Sequence, residues 1–169
     1  MKKKMIKDVI PEGFTVSMAL TDMIPVVFFG LTAFVTGLIL HSPAAAAGAA
    51  VTFVSGFIKV VWKLIVALKK KNIWWMFIQM RMVMPLGFLV FLVGLVKGIS
   101  EVPFNMILSS VTGMPQLVFF ILGISGMILM SIFAVKLDSS NAKNNWIEQT
   151  VNGISQACFF LGVLLIYIR

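Results

Sequence analysis

The chain of 169 residues contains a single cysteine and a single histidine. Cys158 has no second thiol within the chain, which excludes an internal disulfide and the paired thiols of a membrane thiol oxidoreductase. His41 alone cannot ligate a haem iron on both faces. A zinc site built on these two residues would need carboxylates close to them, and neither has one nearby in sequence. No GxxxxGKS/T phosphate loop, GxSxG elbow or HExxH pair occurs. Neither a metal nor a cofactor is therefore expected. Charge is scarce as well: charged residues make up 12% of the chain, about half the share in an ordinary soluble domain. No internal repeat is visible.

Apolar side chains fill that space. Hydrophobic residues account for 60% of the chain and the mean hydropathy is +1.03. These values exclude a soluble globular domain and a disordered chain alike. The fold expected is an all-α integral membrane protein, a bundle of about five transmembrane helices. A crossing helix needs about 20 apolar residues. Five would use about 100, so residues 1–169 are read as one transmembrane helical domain. The formal net charge of +8 is read as loops lying against anionic lipid headgroups rather than as a nucleic-acid surface.

Met1–Glu12, with Lys2, Lys3, Lys4 and Lys7 beside Asp8 and Glu12, reads as a cytoplasmic tail. The uncharged run Met23–Leu40 resembles a signal-peptide core, with Ala44–Ala47 imitating a cleavage site. It exceeds the usual length of about 7–15 residues, and so it is read as a retained span. Spans are expected at about 22–40, 44–68, 73–96, 116–135 and 146–168. His41-Ser42-Pro43 forms the first turn, with Pro43 in the first turn of the next helix. Lys69–Asn72 is a basic loop, and Trp74, Trp75 and Trp146 mark membrane interfaces. Lys97–Pro115 is read as a loop in which Phe104–Leu108 lies at or dips into the interface. Lys136–Asn145 is read as a polar loop.

Basic residues set the orientation. With the N-terminus in the cytoplasm and the C-terminus outside, only Lys97 and Arg169 of the 14 Lys and Arg residues fall on the outer side. The expected location is the cell membrane, as a multi-pass protein among its lipids.

A charge within a bilayer costs about 2.5–3.5 kcal/mol on insertion scales, so each polar residue in a span calls for a partner, water or a function. At about 1.5 Å per residue, Lys63 lies about 9 Å from the Lys69 end and Lys59 about 15 Å. Gln79 and Arg81 reach about 10–14 Å, and Glu148, Asn152 and Gln156 comparable depths. All fall in the cytoplasmic half. Glu148, Asn152 and Gln156 form one stripe on the last helix, with Asn145 ahead of it; Ser55, Lys59 and Lys63 form another on the second. Both stripes are expected to face the bundle interior and line a cavity open to the cytoplasm. Structural roles stand beside this reading. Lys63 is shallow enough to snorkel, Lys59 can pair with Glu148 or Asp22, Arg81 can pair with Glu148, and the amides can join helices.

Asp22 and Pro25 admit two arrangements. Either Asp22 caps a helix that starts there, with Pro25 in its first turn and Phe14–Leu20 a separate interfacial segment, or a longer helix carries Asp22 into the membrane. The cap is the arrangement expected, since a span from Phe14 would be about 40 Å long against a core of about 30 Å. Ala44, Gly48, Thr52 and Gly56, and likewise Gly94 and Gly98, are small-residue rows suited to close helix approach. Met76, Met80 and Met84 are read as pliable apolar lining.

Three functions fit these residues. The first is binding or transport of a small anionic or amphipathic ligand by Lys59, Gln79, Arg81, Glu148, Asn152 and Gln156. Five helices are few for a transporter, so this reading expects a homodimer. The second is a membrane enzyme acting on a lipid or sterol-like substrate, with Asp22 and Glu148 as acid and base. The third is a non-catalytic subunit of a larger complex.

Overall fold

The computed structural model describes residues 15–137 and 142–169, and the regular secondary structure among them is all helical. Six helices follow in order: α1 (Val16–Leu40), α2 (Pro43–Lys69), α3 (Trp74–Ser100), α4 (Phe104–Thr112), α5 (Gln116–Lys136) and α6 (Ala142–Tyr167). All except α4 are long and apolar enough to cross a membrane. The expected N-terminal tail and the centre of the loop after α5 lie outside the described residues.

Local chemistry accounts for the helix ends. The Thr15 hydroxyl accepts the Met18 N–H at 3.2 Å and starts α1, the usual action of an N-cap side chain. His41 closes α1 in the left-handed region, with φ 47°. Ser42 then caps α2 by accepting the Ala45 N–H, Pro43 takes the first turn, and Lys70 ends the helix at φ 50°. The Ser42 hydroxyl also donates to the Gly94 carbonyl at 2.9 Å, pinning the α1–α2 turn to α3.

Three boundaries differ from the sequence expectation. Helix α1 begins at Val16, so Asp22 is an interior residue rather than a cap, and Val16–Leu20 is part of the same helix. Thr15 supplies the cap seven residues earlier, and the ion pairs described below neutralise the carboxylate that the longer helix encloses. Helix α6 begins at Ala142, ahead of Trp146, so the loop before it is shorter than expected. Lys97–Pro115 contains the nine-residue helix α4, none of whose residues is buried. Its Phe104, Met106 and Leu108 side chains are exposed.

The five long helices pack as a row in the order α3, α2, α1, α6, α5, with α4 against α5 and α6. The closest pair is α2–α3. A Cβ on Gly94 would collide with the Ala45 backbone, and one on Gly48 with the Phe91 backbone. The small-residue rows are thus packing surfaces. Ala33, Ala45, Ala49 and Phe91 form one core cluster where α1, α2 and α3 meet. Trp62, Val66, Met76 and Phe77 form another nearer the Lys69–Lys71 loop. Farther along the row, Gly153 lies under Ile24 and Pro25, and Phe28 packs on Phe160 with ring centres 5.8 Å apart. Gly123 and Gly126 of α5 face Phe159 and Ser155 of α6.

Candidate functional site

The start of α1, the end of α2 and the start of α6 share the end of the row that carries Lys69–Lys71. Asp22 lies six residues into α1 and Lys63 six residues before the end of α2, so both sit at about 9 Å along their helices. Equal depth on adjacent helices is what lets them meet. Lys63 Nζ stands 3.1 Å from Asp22 Oδ2. Lys59, one turn farther along α2, places its Nζ 3.1 Å from both Asp22 oxygens. One carboxylate is therefore shared by two ammonium groups.

The two lysines differ in their surroundings. The Lys63 side chain is 6% exposed. It also donates to Asn145 Oδ1 at 3.4 Å. The Gln149 amide lies against both Lys63 and Asn145. Turned so that its nitrogen donates to the Met18 carbonyl at 2.8 Å, its oxygen accepts from Lys63 at 2.7 Å. An ammonium group has three N–H donors. Asp22 takes one of these on Lys63, and the Asn145 and Gln149 amides enclose the rest of the group. Lys59 has only Asp22 among the described residues, and its side chain is 26% exposed. Lys59 therefore keeps donor capacity at the accessible edge of the cluster.

Glu148 lies within electrostatic reach of Lys63. Asp22 rather than Glu148 takes Lys59. Lys63 is buried in an ion pair and does not snorkel. The polar groups of α2 and α6 do meet, through Lys63 and the face carrying Asn145 and Gln149.

The other expected site residues disperse. Gln79 is bound to the α2 backbone and side chain. The Ser55 hydroxyl donates to its Oε1 at 2.5 Å, and its Nε2 donates to the carbonyls of Ser55 at 3.1 Å and Met76 at 3.2 Å. This is helix-joining chemistry within the α2–α3 pair. Arg81 lies over the Phe77 ring, 4.7 Å from its centre, and makes no ion pair with any described residue. The Gln156 amide donates weakly to Met127 Sδ at 3.7 Å. Asn152 is half-buried and makes no hydrogen bond among the described residues. Two open, apolar hollows mark the surface, one along Ile128–Lys136 and one between Ala50 and Val83; neither is lined by Asp22, Lys59 or Glu148. Among the described residues no three of His, Cys, Asp and Glu come together as a metal-binding group.

Gln149 was not singled out by sequence. Its four-residue spacing from Asn145 is visible there, but the charged stripe beginning at Glu148 is the stronger signal on the same helix.

Comparison with known proteins finds no match: no family model fits the sequence, and no curated protein or solved structure matches it. The helical, apolar architecture is consistent with a small multi-pass membrane protein.

Proposed function

We propose that the protein is a multi-pass protein of the cell membrane with its Lys69–Lys71 end in the cytoplasm, and that the Asp22–Lys59–Lys63 cluster binds or carries a small anionic or amphipathic ligand. The observation that supports this reading is the inequality of the two lysines. Lys63 is buried among Asp22, Asn145 and Gln149; Lys59 is more accessible and, among the described residues, holds only Asp22. An incoming anion can replace Asp22 on Lys59 while Asp22 keeps Lys63 as its counter-charge. No buried carboxylate is left unpaired, which avoids the main cost of opening a buried ion pair. Asn152 and Gln156 lie farther along α6 and offer amide donors to the rest of such a ligand.

The test uses the full chain in lipid nanodiscs and octanoate as the probe, with octanol as its uncharged counterpart. Octanoate is expected to raise the unfolding temperature saturably, octanol is not, and Lys59→Met abolishes the increment. Equal responses to the acid and the alcohol, or an undiminished response in Lys59→Met, would refute the reading.

The enzyme reading fits the cluster less well. Asp22 is 2% exposed and screened by two ammonium groups, so a substrate does not reach it. A subunit role draws support from a different feature. Helices α3 and α5 end the row, each packing closely along one neighbouring long helix. Such ends suit lipid, a second copy or a partner helix. Cross-linking from cysteines placed at exposed Val93 and Ile128 distinguishes these, since a homodimer gives a discrete doubled species.

A further inference from the structure

Arg81 is set apart from the other charges in the long helices. It lies seven residues after Trp74, about 10 Å along α3. It is exposed, flanked by exposed Met82 and Val83, and no described carboxylate reaches it. Asp22 is occupied by Lys59 and Lys63, Glu101 closes the opposite end of α3, and Glu148 belongs to a helix that does not pack on α3. An exposed cation on an apolar helix needs an anion or water from its surroundings.

Its geometry indicates which anion. Side chains on a helix lean toward its N-terminus, and Arg81 follows this by lying over Phe77, one turn nearer the Trp74 end. The guanidinium is carried back about 5 Å toward the interface. Phe77 is held in turn between Trp62 and Trp74, each with its ring centre 5.3 Å away, and Trp62 Nε1 donates to Asn72. The support under Arg81 is therefore fixed. The ring anchors the guanidinium carbon at 4.7 Å, no described carboxylate takes its N–H groups, and a guanidinium's paired N–H groups match two oxygens of a phosphate. Pro85 adds a second polar feature: it lacks the N–H that would bond the Arg81 carbonyl in a regular helix, so this carbonyl attracts water or a headgroup hydroxyl.

We infer that Arg81, seated on Phe77, holds the phosphate of a phospholipid in the leaflet beside the Lys69–Lys71 loop, with the acyl chains along Met82 and Val83. The phosphate of an anionic lipid such as phosphatidylglycerol is preferred, because no positive group within the headgroup competes for it. This site is separate from the Lys59 cluster and does not rest on a ligand there.

Native mass spectrometry of the full chain tests this with phosphatidylglycerol, phosphatidylcholine and chain-matched diacylglycerol. The wild type is expected to retain one phosphatidylglycerol in preference to the others. Arg81→Gln should weaken that binding about tenfold, equivalent to about 1.4 kcal/mol. Arg81→Lys should lose part of it, as a point charge replaces the fork. Phe77→Leu keeps the charge without the ring and should give an intermediate loss, which preserves the test if Arg81→Gln folds poorly. Gly37→Ala, at a position with open space around its Cβ, should leave lipid retention unchanged. Retention unaltered in Arg81→Gln or Phe77→Leu, or displacement of the lipid by millimolar inorganic phosphate, would overturn the assignment.

Discussion

Asp22 Oδ2 and Lys63 Nζ stand 3.1 Å apart with side chains 3% and 6% exposed, and this contact joins the start of α1 to the end of α2. Its energetic weight comes from burial. A charge left alone in such a place costs about 3–5 kcal/mol. Asp22→Asn should therefore destabilise the protein strongly, because it strands Lys63. Lys59→Met should cost much less, since Lys59 is the more exposed partner and Asp22 retains Lys63. Thermal unfolding in detergent checks this order; equal losses for the two variants would mean that Lys59 is as deeply committed as Lys63.

The amides of α6 separate stability from binding. Asn152 makes no hydrogen bond among the described residues, and Gln156 makes only a weak one to Met127. Asn152→Leu and Gln156→Leu should leave the unfolding temperature within the range of a minor interhelical hydrogen bond, about 0.6 kcal/mol. Both should reduce the stabilisation by octanoate. A fall in stability with octanoate binding intact would make these residues helix glue.

Close approach of α2 and α3 predicts a contrast between glycines. Gly94→Val should separate the pair, because its Cβ has no room beside Ala45, whereas Gly37 has open space around its Cβ position. Gly37→Ala should be neutral or stabilise by up to about 1 kcal/mol through helix propensity. Limited proteolysis at the Lys69–Lys71 loop should accelerate in Gly94→Val and not in Gly37→Ala.

Orientation is tested by labelling. In a Cys158→Ala background, cysteines at Lys71 and Ile168 should react with an impermeant reagent from opposite faces, with Lys71 on the cytoplasmic side. Labelling of both from one face would refute the five-span topology.

Hydropathy alone determined the number and approximate limits of the long helices, because about 20 apolar residues in a row have few other stable uses. Spacing along each helix likewise placed the polar groups at one depth and identified the close-packing rows at Gly48 and Gly94. Partners were a different matter. Glu148 and Asp22 both stood at a suitable depth for Lys59, and only the order of helices in the row, with α1 between α2 and α6, brought Asp22 to the lysines. The same packing decided that Asp22 lies inside α1, since a carboxylate can enter a long apolar helix once two ammonium groups meet it there. It also turned Arg81 away from the cluster and onto Phe77. Sequence records how deep a side chain lies along its helix; which neighbour it faces depends on how whole helices fit against one another.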